Sequence, residues 1–418
     1  MHLVNNSAGQ ESGRTAGAGK PDPVIIAGAG PVGCTLALLL AQNDIPVVLL
    51  EAQDDLPEDL RASTFHPPSL DLLDDLGVTQ RILDIGLKVH DYQYRDRRTN
   101  EVAKFHMKHL SGETNHPYRL QCEQFKMTRI VTEMLAEIDC AEVVFGAKAV
   151  GYRETSDGVD VLTFDGSEEK RYHGSFLIGT DGANSSVRQS GGVKFEGLTY
   201  PEMFLVVSTS FPFEDHFEDL SLVNYVSDPD EWCVLLKTVD LWRVLIPAPL
   251  DADRDQLLSD GFIQERLQHL VPKDGDFDLY HRTLYRVHQR VAETYRVSPR
   301  ALLAGDAAHI NNPLGGMGMN GGLHDAFNLG DKLLTILKQG GDMDELLDLY
   351  DRQRRKICID FVQSHTMRNK KLMESTDEQV QRNRQREFLR LANDPGLARE
   401  FLMRTSMIDS LRESLKIA

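Results

Sequence analysis

The stretch Val24-Ile-Ile-Ala-Gly28-Ala-Gly30-Pro31-Val32-Gly33 constrains the fold more than any other part of the chain. Four apolar residues of strand character run into a G-x-G-x-x-G turn, and an apolar helix follows over Cys34 to Ala41. A second short strand, Val47-Val-Leu-Leu50, then ends in Glu51-Ala52. That order is the opening β-α-β unit of a nucleotide-binding α/β fold. Gly28 serves the tight turn, Gly30 lets the backbone approach a pyrophosphate, and Gly33 lets helix and strand pack closely. Glu51 can accept both hydroxyls of a ribose. Strand, turn, helix, strand and acid together select dinucleotide binding over a chance glycine turn, without choosing among dinucleotides.

The second half of the chain carries two further turns. Phe176-Leu-Ile-Gly-Thr-Asp181-Gly182 is a strand running into an Asp-Gly turn, with Ser185 and Ser186 placed to cap a following helix. Arg300-Ala-Leu-Leu-Ala-Gly305-Asp306-Ala-Ala-His309 is another apolar strand delivering a Gly-Asp pair. A loop containing Pro313 then leads to Gly315-Gly316-Met-Gly318-Met319-Asn320, which opens a helix. Glycines that permit close backbone approach, followed by a helix N-terminus, suit a bound anionic group. Gly316 to Gly321 also spells G-x-G-x-x-G, but no strand directly precedes it. Residues 322–338 continue at helical spacing through Leu323, Phe327, Leu333, Leu334 and Leu337, so it is not a second nucleotide turn.

Taken in order, the Gly28–Gly33 turn, Asp181-Gly182 and Gly305-Asp306 resemble the three signatures of the single-component FAD-dependent aromatic hydroxylases, the family of para-hydroxybenzoate hydroxylase and phenol hydroxylase. The resemblance covers roughly residues 23–360. It implies FAD as cofactor, NADH or NADPH as co-substrate, O2, and hydroxylation of a phenolic or heteroaromatic small molecule through a flavin C4a-hydroperoxide. It further implies that Glu51 binds the adenosine ribose and that Arg61 lies along the FAD near its phosphates. By the same resemblance Gln124 reaches the FAD, Asp181 serves FAD and the nicotinamide cofactor, and Asp306 meets the ribitol or ribose side. Gly28, Gly30, Pro31, Val32, Gly33, Ala52 and Gly305 join this cofactor-binding set. Pro313, Gly316, Gly318, Met319 and Asn320 are expected around the flavin ring, with backbone N–H groups at Gly318 to Asn320 stabilising the charge that reduction puts there. Arg61 reads equally as a surface salt bridge, and Gln124 as a helix cap.

The expected architecture is α/β: a Rossmann-like FAD-binding domain with an inserted antiparallel-sheet substrate domain and C-terminal helices. Residues 1–22 read as a disordered tail, 23–198 and 281–360 as the discontinuous FAD-binding domain, 199–280 as the substrate sheet, and 361–418 as closing helices. Runs at 203–210, 220–226, 232–236 and 242–246 read as strands, but both faces are too apolar for period-2 alternation to assign sides. Tyr225, Trp232 and Arg243 are the candidate substrate-facing residues, and Pro313, His309 and Tyr225 the candidate catalytic ones. His309 reads as either structural or catalytic. Arg352 to Lys356 reads as a solvated basic face of a long helix.

Composition narrows the partners. A formal charge of -18 argues against nucleic acid and anionic membrane surfaces, and no apolar run approaches the length of a membrane span. Five scattered cysteines without C-x-x-C spacing fit a reducing cytoplasm. His106 and His109 lack further ligands at metal spacing, so no metal is expected. A monomer or homodimer is compatible with all of this. Two other readings of the scaffold are a halogenase or reductase and a non-catalytic redox sensor. Leu241-Trp242-Arg-Val-Leu-Ile-Pro247 lacks the second tryptophan of the halogenase segment. After Asn328-Leu329 many members of the family have a tryptophan before Lys-Leu, where this chain has Gly330-Asp331-Lys332; this and the absence of proline after Arg354-Arg355 are departures from the family pattern.

Overall fold

Five parallel strands form the centre of one sheet, in the order Ala301–Leu303, Phe176–Gly179, Val24–Ala27, Val47–Leu50 and Ala141–Val144, with Arg296–Ser298 antiparallel at one edge. The four residues of Val24–Ala27 are all buried, as expected for a strand covered on both faces. These coordinates come from a computed structural model, which describes residues 21–58, 62–228, 231–375 and 377–418. Most of the expected tail, and Arg61, lie outside the described residues. No helix among the described residues is long and apolar enough to cross a membrane.

The helix Pro31–Gln42 leaves the first strand and packs against the helices Gln124–Ala136 and Met317–Gln339. Its contact with the last of these is close at Gly330. A Cβ on Gly330 would lie 2.7 Å from Leu39 Cδ2, so at this crossing the helices approach too closely for a side chain.

The second large sheet has eight strands in the order His309–Ile310, Leu279–Ala292, Phe195–Thr209, Trp242–Pro249, Cys233–Lys237, Val223–Ser227, Asp91–Asp96 and Val102–His106. Both faces are covered. Met203, Leu205 and Val207 pack on one side with Ile263 and Leu267 of the helix Asp260–Leu270. Phe204 packs on the other side with Tyr225, Trp232 and Leu314. This double burial is why the strands read as continuous apolar runs. The strands Asp91–Asp96 and Val102–His106, which precede the expected boundary at 199, are hydrogen-bonded into this sheet, so the sheet extends beyond 199–280 at both ends.

After Met343–Ile357 the chain passes through a π-helical segment, Cys358–Gln363, into Ser364–Glu374, Glu378–Asn393, Pro395–Thr405 and Ile408–Ser414. The break expected at Asn393-Asp-Pro-Gly396 is present. Asp394 caps the new helix by accepting the Leu397 N–H, and Pro395 occupies its first turn.

Candidate active site

The three glycine-bearing turns converge at the C-terminal ends of the parallel strands. Gly28 has φ +105°, and a Cβ there would fall 2.6 Å from Thr180 O and 2.9 Å from Asp181 Cα. A Cβ on Gly305, φ +62°, would meet Val32 Cγ2 at 2.8 Å. The first turn thus touches both the Asp181 turn and the Gly305-Asp306 turn. Gly33 needs its missing side chain for packing, since a Cβ would lie 2.0 Å from Gly28 O. Gly30 differs: its Cβ position has no neighbour within 4 Å. It is the N-cap of Pro31–Gln42, whose N-terminus has no side-chain cap. Open space in front of uncapped N–H groups fits a phosphate group.

Glu51 ends its strand buried, with Oε2 accepting the Ala29 N–H at 2.9 Å and Oε1 accepting the Gln53 N–H at 3.0 Å. The carboxylate therefore ties the second strand to the glycine turn. Ala52, exposed, follows it. Asp181 accepts the N–H groups of Ser186 at 2.6 Å and Val187 at 3.2 Å through Oδ2, while its Oδ1 is buried without a partner. Burial pushes its carboxyl above the usual value in spite of those hydrogen bonds. An orphaned acceptor in the cleft between turns fits a ligand hydroxyl. Of the two serines expected to cap, Ser185 does so, accepting the Arg188 N–H at 3.0 Å.

Asp306 is exposed at the turn, but the turn itself is held from inside. Asp325, on the helix Met317–Gln339, accepts Gly305 N–H at 3.1 Å and His309 Nε2 at 2.7 Å through Oδ2, and Arg354 Nε at 2.6 Å through Oδ1. His309 and Asp325 are buried, as is Arg354, which also donates to Gly321 O at 3.2 Å. Burial opposes the charge on His309, yet Cys358 and the Asp325 carboxylate beside it hold the imidazole well above the usual histidine range. Burial likewise opposes ionisation of Asp325, but Arg354 and His309 bring its carboxyl down to about 2. His309 therefore sits in a positioning network behind the turn. Arg354, read from sequence within a solvated face, is instead its buried cation: the helix Met343–Ile357 turns it inward at the same helical phase as Leu347, Tyr350 and Ile357.

The glycine loop is anchored to the short strand Thr64–Phe65. Gly315 has φ +104° and Gly316, the N-cap of Met317–Gln339, φ +67°. Asn320 accepts His66 N–H at 2.8 Å and donates to Thr64 O at 2.8 Å and Gly316 O at 2.7 Å. Its side chain is thus spent on bracing the loop. The first-turn N–H groups of this helix, from Met317 to Asn320, have no side-chain cap. Pro313, half-buried, accepts Gly316 N–H at 3.0 Å, and Gly318 and Met319 lie half-buried in the first turn. Gln124, half-buried at the start of its helix, donates its N–H to Ala62 O at 3.0 Å.

The three substrate-side candidates share a sheet face. Tyr225 and Trp232 belong to the cluster that contains Leu314, next to Pro313. Arg243 lies between Trp242 and Val244, both of the opposite cluster, and pairs with Glu123 at 3.1 Å. Tyr225 is 6 % exposed and stacks on Tyr94 with centroids 4.9 Å apart. Tyr94 in turn stacks on Phe388 of the C-terminal helices at 3.9 Å. Sequence reading missed Tyr92, Tyr94 and Phe105 of this cluster, although Tyr92 and Tyr94 stand two apart in Asp91-Tyr-Gln-Tyr, a one-face strand signal. A surface cleft of about 520 Å3 bounded by Pro68, Asp71, Glu113 and Arg412 includes none of the turn residues, so the converging turns define the candidate site.

Comparison with known proteins agrees with this geometry. The family model described as FAD binding domain matches residues 22–365. Para-nitrophenol 4-monooxygenase of Pseudomonas sp. (strain WBC-3) is 32% identical over 400 residues, 94% of this chain and 97% of that one. The 6-hydroxy-3-succinoylpyridine 3-monooxygenase of Pseudomonas putida (strain DSM 28022 / S16) is 32% identical over 344 residues, 81% of this chain and 86% of that one. The crystal structure of p-nitrophenol 4-monooxygenase from Pseudomonas putida DLL-E4 superposes with a TM-score of 0.87 at 29% identity, covering 94% of this chain and 98% of that one.

Proposed function

Because this chain belongs to the FAD binding domain family, we propose that it, an FAD-dependent aromatic monooxygenase, takes reducing equivalents from NADH or NADPH and uses O2 to hydroxylate a phenolic or heteroaromatic small molecule. The observation that carries the reading is the convergence of the Gly28–Gly33, Asp181 and Gly305-Asp306 turns beside a glycine loop whose far side faces an aromatic cluster. Bound FAD would accept a hydride from the nicotinamide and supply the reduced ring that activates O2.

The chain's own residues would then do four things. The open approach at Gly30 and the N-terminus of Pro31–Gln42 would receive the pyrophosphate, with Glu51 and the orphaned Asp181 Oδ1 available to ribose or ribitol hydroxyls. The Asp325 network would fix the Gly305-Asp306 turn, so that Asp306 meets the cofactor at a set position. The uncapped N–H groups from Met317 to Asn320 would stabilise negative charge on the isoalloxazine pyrimidine, about 3 kcal/mol for each well-placed donor. The packed face carrying Phe204, Tyr225 and Trp232 would exclude water and seat an aromatic ring near Pro313.

Supporting a heteroaromatic or phenolic ring, the relatives that resemble this chain are named for a nitrophenol and a hydroxypyridine. In this reading the cofactor part is drawn from residues 23–198 and 281–360, and the substrate part is the eight-stranded sheet, including Asp91–His106. The free cysteines agree with a cytoplasmic location, and the protein acts as a monomer or homodimer. The test is oxidation of NADH and NADPH by the purified protein across a panel of phenols and hydroxypyridines, with O2 uptake and peroxide followed together. Substrate-stimulated oxidation with little peroxide is expected. FAD retained without stimulation by any compound would overturn the monooxygenase reading.

A further inference from the structure

A buried cation lies where the glycine loop meets the aromatic cluster. The short strand Arg119–Gln121 pairs antiparallel with Thr64–Phe65, and Thr64 Oγ1 donates to Gln121 Oε1 at 2.9 Å, so these two side chains share a face. His66 and Arg119, two residues further along their strands in each case, fall on that same face. Three atoms there are buried without hydrogen-bond partners: Arg119 Nε, Gln121 Nε2 and His66 Nδ1. His66 Nε2 faces Gly315 O at 2.8 Å and must carry the ring proton, which leaves Nδ1 a bare acceptor. Burial first, then the Arg119 charge, hold this imidazole well below the usual histidine range, so it is neutral.

On its other side the Arg119 guanidinium lies 4.2 Å from the centroid of Tyr92, three residues beyond the strand Leu87–Val89 that flanks it. Tyr92 stacks on Phe105 at 5.6 Å and meets Tyr225 edge-on at 6.3 Å. Arg119 is 2 % exposed, and no carboxylate among the described residues is paired with it. Arg354 and Arg243 have carboxylates, and Arg188, 4 % exposed, donates to the carbonyls of Ala307 and Ala183. A buried guanidinium without a counter-charge is strongly unfavourable in the empty protein, and a ligand that supplies the charge removes the penalty.

We propose that Arg119 is a specificity-determining residue that holds the anionic end of the aromatic substrate, a phenolate or ring carboxylate, with Gln121 adding a second donor and Tyr92 flanking the ring. The proposal rests on the hydroxylase reading for the word substrate, but its test is a binding measurement. FAD-loaded protein is titrated with 4-nitrophenolate, 4-hydroxybenzoate and the neutral 4-nitroanisole, following flavin fluorescence and difference absorbance. The two anions separate the phenolate source of charge from the carboxylate source.

Arg119→Met is expected to weaken binding of the preferred anion by about tenfold or more, the loss of one charge-assisted hydrogen bond, and to leave 4-nitroanisole binding and FAD content unchanged. Arg119→Lys, which keeps the charge without the planar fork, is expected to fall between. Thermal unfolding of ligand-free Arg119→Met is expected at or above the wild-type temperature, because an unpaired charge has been removed; a mere packing role beneath Tyr92 would lower it. Equal anion affinities in wild type and Arg119→Met would overturn the proposal, as would failure of the wild type to bind either anion. Loss of FAD from both variants would overturn it too, making Arg119 a cofactor residue. Anion binding that depends on Arg119 in a protein that consumes no NAD(P)H would instead leave Arg119 standing and remove the monooxygenase reading.

Discussion

Replacing Asp325 with asparagine should be the most damaging isosteric change in this protein. The carboxylate is fully buried and satisfies Gly305 N–H at 3.1 Å, His309 Nε2 at 2.7 Å and Arg354 Nε at 2.6 Å. Asparagine keeps the volume but offers one acceptor oxygen and turns an NH2 group toward donors. Arg354, 2 % exposed, is left without a counter-charge, a loss of about 3–5 kcal/mol for a buried pair broken on one side. The Gly305-Asp306 turn also loses its internal anchor, so FAD affinity should fall together with stability. Urea unfolding followed by tryptophan fluorescence, with flavin release recorded in parallel, measures both. Adding Arg354→Met should recover much of the unfolding free energy, since the stranded charge is gone, but not the FAD affinity. An Asp325→Asn protein within about 1 kcal/mol of wild type and equally loaded with FAD would refute the account, because such a value belongs to an exposed pair.

The same network sets the acid response. Asp325 is held at about 2 against an ordinary 3.8, a depressed carboxyl. Its contribution, about 2 kcal/mol at 1.36 kcal/mol per unit, is present above pH about 4 and lost as pH falls toward 2; acid unfolding of Asp325→Asn should lack that loss. His309 is shifted the other way, so what its protonation contributes is fully present below its ordinary 6.5 and disappears only as pH rises through its elevated value. Gly33→Ala places a Cβ 2.0 Å from Gly28 O and should lower the unfolding temperature and FAD content together, whereas Gly30→Val, at a position with no neighbour within 4 Å, should give a folded apoprotein. A Gly30→Val protein that purifies with full flavin absorbance would refute the placement of that turn. Asp306→Ala should raise the FAD dissociation constant about tenfold or more, roughly 1.5–3 kcal/mol, with little change in the urea midpoint because the side chain is exposed; an unchanged constant would remove Asp306 as a ligand.

What the sequence determined by itself was local. A turn that needs positive φ at Gly28 or Gly305, an uncapped helix start after Gly30 or Gly316, and an acid at the end of Val47–Leu50 each leave their mark within ten residues, because the backbone conformation is decided by its own side chains. The parallel sheet and the three turns could be read for that reason. The tertiary structure alone decided which residues stand behind those turns. Helical phase sets Arg354 with Leu347, Tyr350 and Ile357, but only packing against Asp325 supplies the counter-charge with which it is buried. Nothing in Asp91–His106 announces that it closes a sheet whose other strands begin about ninety residues later. Arg119 and His66 are more than fifty residues apart, and strand pairing puts them on one face, where burial turns an ordinary arginine into a charge in want of a partner.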